Sequence, residues 1–236
     1  MTPKKRLPRP MLPSEMIKTH LPDIPESYGE SYYVKTPTWG GDYAEAQDIV
    51  WKQSGMFWSV GRDLVFPAGA KVLDAGCAYG HAVKAWNDRG YDAYGYDHSP
   101  YAIERGHAMY PDLGERIWVQ SITDPIPVTV QAITCTEVLE HVPPENLEKV
   151  LDNFQAASNW LFTTVGLSPR FGVPLPDTDT DPTHIHWPHK SWWCEFLEQW
   201  GHLDWDIMHR FALTAAPMEK DGISWGVRFF ALEFFK

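Results

Sequence analysis

From about residue 70 onward, short apolar runs alternate with longer stretches in which apolar residues recur every third or fourth position. Val72–Cys77, Ala93–Asp97, Ile117–Ser121, Ala132–Cys135 and Leu161–Val165 read as five strands: short apolar runs bounded by turn-forming residues, as strands covered on both faces are. Between them lie helical stretches at His81–Arg89, Pro100–Met109 and Pro143–Ser158, the last with Leu147, Val150, Leu151 and Phe154 on one face. Gly90 is placed to end the first of these helices, and Ser99 followed by Pro100 to begin the second. A helix from His189 or Lys190 to Trp200 stops at Gly201, and Leu203–Leu213 and Trp225–Phe235 read as two long antiparallel strands. Ahead of this block, Ala44 to about Val65 reads as a helix with Ile49, Val50, Phe57, Val60 and Leu64 on one side, a weak capping box at Asp42 and Glu45, and a stop at Pro67-Ala68-Gly69. Strands alternating with helices predict an α/β fold with a doubly wound sheet.

Composition narrows the class. The 236 residues suit one α/β domain with additions, and 44% hydrophobic content is that of a globular chain. No apolar run reaches the roughly 18 residues of a membrane helix, and the charged start has no apolar segment behind it, so neither a membrane span nor a secretory signal is expected. Three widely spaced cysteines support no disulfide framework and no Cys-x-x-Cys metal site; the expected setting is cytoplasmic. The net charge is −11, and the first twenty residues are basic, so the remainder is more acidic still. An acidic body argues against a broad nucleic-acid footprint. Residues 1–40 are read as an extended N-terminal segment, proline-rich and then aromatic, and 41–236 as the functional domain. The aromatic part, Tyr28–Tyr43, with Tyr28, Tyr32, Tyr33 and Trp39, either folds over a pocket as a lid or patches a sheet edge.

The candidate chemistry centres on Lys71–Gly80, KVLDAGCAYG. A strand runs into Asp74, then a turn with Gly76 and Gly80, then a helix. Glycine lets a ligand approach the backbone, and the helix start offers free N–H groups. The spacing Asp-x-Gly-x-x-x-Gly differs from the Gly-x-Gly-x-x-Gly of dinucleotide enzymes, and a carboxylate in the turn suits a ligand with an amine and a positive sulfur, not a pyrophosphate. Asp97 ends the second strand, where a carboxylate can accept from both hydroxyls of a ribose; the alternative is that it caps the Pro100–Met109 helix, a role for which Ser99 competes.

Asp74, Gly76, Cys77 and Gly80 resemble the first motif of class I S-adenosylmethionine-dependent methyltransferases, with Ala78 in place of the usual glycine. The segment Thr136-Glu137-Val138-Leu139-Glu140-His141 resembles the fourth motif of the small-molecule members related to ubiquinone-biosynthesis and sugar O-methyltransferases. The resemblance covers about residues 65–236 and implies a Rossmann-like, seven-stranded, mostly parallel sheet with helices on both faces and a C-terminal antiparallel pair. It implies S-adenosylmethionine as cofactor, held by Asp74, Ala75, Gly76, Cys77 and Gly80 in the turn, by Asp97 and His98 at the ribose and adenine, by Ser121 and Ile122 after the third strand, and by Cys135 and Thr136 at the methionine end.

The expected reaction is methyl transfer to a small molecule, most often a hydroxyl of a sugar or phenol, with N- or C-transfer open; the rival is a silent cofactor-binding subunit. His141 is the candidate base or acceptor-orienting group, against a packing role at the following helix. The long loop 166–188 holds five prolines and ends in His184, His186 and Trp187, with His189 next; loops of this length are usually functional. An acceptor-pocket wall ranks first for these residues, packing second and metal third, so no metal is assigned. Trp192, Phe196 and Trp200 fall at helical spacing and are expected in the core.

Overall fold

In a computed structural model, the structure describes residues 28–35, 43–44, 66–167, 181, 183–215, 219–220, 223–224 and 229–236. The expected helix beyond Ala44, its capping pair, Trp39 and most of the 166–188 loop lie outside these residues. The described helices and strands, numbered in chain order, are α1 (Glu30–Lys35), β1 (Lys71–Ala75), α2 (His81–Asp88), β2 (Asp92–Asp97), α3 (Pro100–Met109), β3 (Ile117–Val119), β4 (Val130–Thr136), α4 (Leu147–Ala157), β5 (Ser158–Thr164), α5 (Lys190–Leu197), β6 (Gly201–Leu203), α6 (Trp205–Ala215), β7 (Glu219–Lys220), β8 (Ile223–Ser224) and β9 (Phe229–Phe234).

Seven strands form one sheet in the order β3-β2-β1-β4-β5-β9-β6. The first five run parallel, and β9 lies antiparallel to both β5 and β6. The inner strands are mostly apolar without alternation for a visible reason. Leu73 and Ile133 are fully buried, as are Leu161, Phe230, Ala231 and Leu232 further along the sheet, so both faces are covered and alternation disappears. Helix α4 turns Leu147, Val150, Leu151, Phe154 and Ala157 inward, each larger side chain contributing roughly 1.5–3 kcal/mol by leaving water. Helix α5 does the same with Trp192, Trp193, Phe196 and Leu197, and Trp200 just beyond it is fully buried, as the spacing predicts.

One expectation is overturned. Leu203–Leu213 is not a long strand: Gly201–Leu203 is a short one, and helix α6 follows. Asp204 decides this, because its Oδ1 accepts from the Ile207 N–H at 2.9 Å and caps the new helix. Ile207, Met208 and Phe211, at helical spacing, then bury on one side, while Trp205 and Leu213 face water. The last strand is confirmed over Phe229–Phe234, next to β6 as expected. Among the described residues, no helix is long and apolar enough to cross a membrane.

Parallel order aligns the carboxyl ends of β1, β2, β3, β4 and β5 along one rim, and β1 lies between β2 and β4, where the chain reverses direction across the sheet. In open α/β sheets this is where ligands bind. The turn after β1, the end of β2 and the segment after β4 therefore meet at one place.

Candidate active site at the carboxyl rim

The turn after β1 is built on left-handed backbone. Gly76 (φ 82°) and Gly80 (φ 76°) have positive φ, and so does Ala78 (φ 46°), the position where the resembled motif has glycine. An L-residue there costs about 1 kcal/mol, and Ala78 is held by what surrounds it. Its N–H donates to Asp97 Oδ2 at 2.9 Å, while Gly76 and Cys77 both donate to the Tyr96 carbonyl. The turn is thus tied to the end of the neighbouring strand, and the two expected cofactor carboxylates belong to one assembly.

Asp97 has both oxygens engaged, Oδ2 by Ala78 and Oδ1 by the Ser99 N–H at 2.8 Å. Ser99 itself caps α3, accepting from Ala102 N–H, so the helix does not need Asp97 as its cap. Asp74 accepts from the Thr134 hydroxyl at 2.7 Å, Thr134 being its cross-strand partner in the β1–β4 register. Burial, opposed in part by that hydrogen bond and reinforced by the Asp97 charge, pushes the Asp74 carboxyl up to about 7. Burial likewise raises Asp97 against its backbone hydrogen bonds. Two buried carboxyls, Asp74 raised further by the Asp97 charge and Asp97 offset only by backbone N–H groups and His98, with no lysine or arginine among the groups acting on either, make a site that a cationic ligand would relieve.

Two further polar atoms at this rim, Thr136 Oγ1 and His98 Nε2, are buried and have no hydrogen-bond partner among the described residues, a state that costs roughly 1–3 kcal/mol per group. Both belong to the expected cofactor set. Cys135 is fully buried and its carbonyl accepts from Thr163 Oγ1 at 2.6 Å. Ser121 bonds Thr123 just past β3, and Ile122 packs on the edge of the core.

A second cluster lies beside the first. Tyr28 stands edge-on to both His98 and His141, with ring centroids 5.4 and 5.9 Å away, and its carbonyl accepts from Ser99 Oγ at 2.5 Å. Tyr32 and Tyr33 pack with Tyr43 and Tyr79 over Ala78 and Ala102. Among the described residues, Tyr28, Tyr32, Tyr33 and Tyr43 of the aromatic segment therefore sit on the turns after β1 and β2. Past β4, Glu140 is fully buried, and its Oε1 accepts from the Gly166 N–H at 2.7 Å. His141 Nδ1 lies 2.9 Å from Thr183 Oγ1, and its ring is 4.7 Å from that of His184.

The three loop histidines separate. His186 is fully buried, with Nε2 on the Val142 carbonyl at 2.9 Å and its ring 5.8 Å from Trp193, which places it in the packing against α5. His189 caps α5 through Ser191 N–H. His184 instead joins Glu140 and His141, with one ligand atom from each within 4.8 Å of the others. A cation-sized group thus forms from residues that the loop spacing alone did not bring together. Glu140, His141, Thr183 and Asp181 form the part of the site that motif reading assigned only in the single case of His141. Glu137, Glu140 and His141 follow i, i+3, i+4 spacing after a strand, and Asp181-x-Thr183-His184 precedes the aromatic helix; those were the available signals.

These environments set a pH dependence. Burial, reinforced by the Glu137 charge and opposed by His184, pushes Glu140 up from 4.5 to about 8, and Asp74 stands near 7. His81 and His186 are pushed down from 6.5 to about 4 by burial, and His141 likewise by burial and the facing His184. The folded chain thus carries fewer histidine protons than the unfolded one between pH 4 and 6.5, and more carboxyl protons up to about pH 8. Stability rises with pH through the histidine window and falls through the carboxyl window. Thermal midpoints of the unliganded protein in chelator are expected to peak near pH 6.5 and decline toward pH 8.5, and Glu140→Gln is expected to remove most of the decline above pH 7. A wild-type curve that is flat from pH 6.5 to 8.5 would contradict the Glu140 assignment.

Comparison with known proteins places the chain. The family described as "Methyltransferase domain" matches residues 56–215. The ubiquinone biosynthesis O-methyltransferase of Pseudomonas fluorescens is 27% identical over 110 residues, 44% of this chain and 47% of the relative. The enzyme of the same name from Pseudomonas aeruginosa UCBPP-PA14 is 35% identical over 81 residues, 32% of this chain and 35% of the relative. The match thus spans less than half the length of these curated relatives. Among solved structures, magnesium protoporphyrin IX methyltransferase from Synechocystis, crystallised with bound SAM, superposes with TM-score 0.59 at 14% identity, covering 92% of this chain and 98% of that one. A TehB-like SAM-dependent methyltransferase from Corynebacterium glutamicum gives 0.53 at 19% identity, covering 82% and 98%. At such identities the superpositions show the shared fold.

Proposed function

Since the chain belongs to the methyltransferase-domain family, we propose that it transfers a methyl group from S-adenosylmethionine to a hydroxyl of a small molecule, with residues 41–236 as the working domain. The observation that carries the cofactor reading is the pair of buried carboxyls, Asp74 and Asp97, joined through the turn and lacking a lysine or arginine neighbour among the described residues. When bound, the cofactor supplies an electrophilic methyl on a positive sulfur. Asp74 would face its ammonium, Asp97 its ribose hydroxyls and His98 its adenine, with Ala75, Gly76, Cys77 and Gly80 as backbone cradle. Ser121 and Ile122 line the adenine side, and Cys135 and Thr136 the methionine side.

The acceptor would lie beyond Tyr28, against His141, His184 and Trp187, with His186 holding the wall from behind. The relatives named for O-methyl transfer support a hydroxyl acceptor, and His141 as base fits that chemistry. His141 would take the proton of the acceptor hydroxyl, while the bound cofactor would supply the methyl group. A base so placed is worth roughly 10²–10⁴ in rate. With a catechol such as 3,4-dihydroxybenzoate as probe acceptor, His141→Gln is expected to lower kcat at least about a hundredfold while calorimetric affinity for S-adenosylhomocysteine stays within about twofold. Full turnover in that variant would remove His141 from the chemistry.

A second reading has its own observation. The Glu140, His141 and His184 ligand atoms gather closely enough to share a divalent cation, which could bind and acidify an acceptor hydroxyl directly. The same probe assay separates the two: activity abolished by chelator and restored by Mg²⁺ or Zn²⁺ favours metal assistance, and chelator-resistant activity favours the histidine base.

A further inference from the structure

His141 is not an isolated ring. Its Nδ1 meets Thr183 Oγ1 at 2.9 Å; Thr183 Oγ1 in turn donates to Asp181 Oδ1 at 2.5 Å, and Thr183 N–H donates to the same oxygen at 2.8 Å. The other oxygen, Asp181 Oδ2, accepts from Tyr32 Oη at 3.0 Å. Four side chains therefore run in line from the N-terminal aromatic segment to the ring after β4. Three of them are well buried, and His141, at the end, is only partly covered.

We propose that Asp181 and Thr183 are positioning residues that hold His141 in the Nδ1–H tautomer, leaving Nε2 as the bare acceptor nitrogen, and that Tyr32 fixes Asp181 for this task. This rests on reading His141 as the base and specifies which of its atoms does the work.

The argument is a proton count. A threonine hydroxyl has one proton. The 2.5 Å approach of Thr183 Oγ1 to a carboxylate oxygen requires a proton between them. Asp181 accepts three hydrogen bonds, from Thr183 N–H and Thr183 Oγ1 at Oδ1 and from Tyr32 Oη at Oδ2, the pattern of an ionised, acceptor-only carboxylate. The proton is therefore Thr183's own. Thr183 Oγ1 can then only accept from His141, and the ring proton must sit on Nδ1. Nε2 is left with a lone pair and no proton. When Nε2 takes a proton from the acceptor, the imidazolium keeps its Nδ1–H on Thr183, and the Asp181 charge two bonds away offsets the new positive charge. The strap residue Tyr32 enters because a carboxylate with one oxygen anchored cannot rotate away from Thr183.

The test reads the tautomer directly and needs no acceptor. Long-range proton–nitrogen correlation spectra of the full chain labelled with ¹⁵N-histidine, in chelator at pH 7, distinguish the two neutral forms of each ring. The His141 signal, one of ten histidines, is identified by its loss in His141→Gln. The expected result is a protonated Nδ1 and a bare Nε2 in the wild type, retained in Thr183→Ser and lost to a mixture in Thr183→Val. A wild-type ring protonated on Nε2, or a Thr183→Val ring that keeps the Nδ1–H form, overturns the proposal. The wild-type measurement stands even if a variant fails to fold. Because no methyl transfer is measured, absence of turnover would strike the proposed function and leave this result untouched.

Discussion

Asp97→Asn is expected to weaken binding of S-adenosylhomocysteine about a hundredfold. The carboxylate carries two jobs at once. It accepts from Ala78 N–H and Ser99 N–H, and those bonds hold the left-handed turn and the start of α3 in place. An amide has the same shape but one acceptor oxygen, so it can keep only one of these partners and must aim an NH₂ group at the other. Hydrogen bonds to a charged acceptor are worth roughly 1.5–3 kcal/mol each, and about 3 kcal/mol corresponds to the hundredfold loss. Calorimetric titration of folded variant protein reads this directly. Affinity within about threefold of wild type would show that the end of β2 does not hold the cofactor, and the ribose assignment would have to be given up.

The second large effect is on stability. Gly76→Ala is expected to cost about 3 kcal/mol, from two terms acting at one position. The backbone there is left-handed, at φ 82°, and an added methyl would run into the Cγ2 of Val138. Gly69 provides the control: its φ is 79°, yet nothing lies within 4 Å of an added Cβ, so Gly69→Ala should cost only about 1 kcal/mol. For a chain of this size about 3 kcal/mol moves the thermal midpoint by roughly 6–12 °C. Scanning calorimetry of the two variants side by side checks it, and equal shifts would mean that Val138 yields without cost.

How far the sequence discloses the molecule depends on whether the deciding contact is local. Strands β1, β4 and β5 were legible because covering both faces leaves short, mostly apolar runs without alternation, and the α4 face was legible because its buried residues repeat with the helix. The stretch after Gly201 was misread because HLDWDIMHRFAL is apolar enough for either element; one cap, Asp204 on Ile207, selects the helix. Asp74 and Asp97 could be picked out because glycines and strand ends flag them. Thr134 could not, since it matters only through its register opposite Asp74. Nor could Thr183 and Asp181, whose meeting with His141 and Tyr32 spans 42 and 149 positions of chain. A motif shows the residues that share a turn and is silent on partners brought in from elsewhere.

The strand order also bears on how the molecule is made. β6 reaches the sheet only through β9, which comes later in the chain and inserts between β5 and β6. On a ribosome, the parallel half can assemble as it emerges, since each of its strands pairs with one already synthesised or soon to follow. β6 and the helix after it must wait with apolar flanks uncovered until Phe229–Phe234 arrives, an interval in which a nascent chain is open to wrong pairing. A product that stops before Phe229 would lose two strands of the sheet, not one.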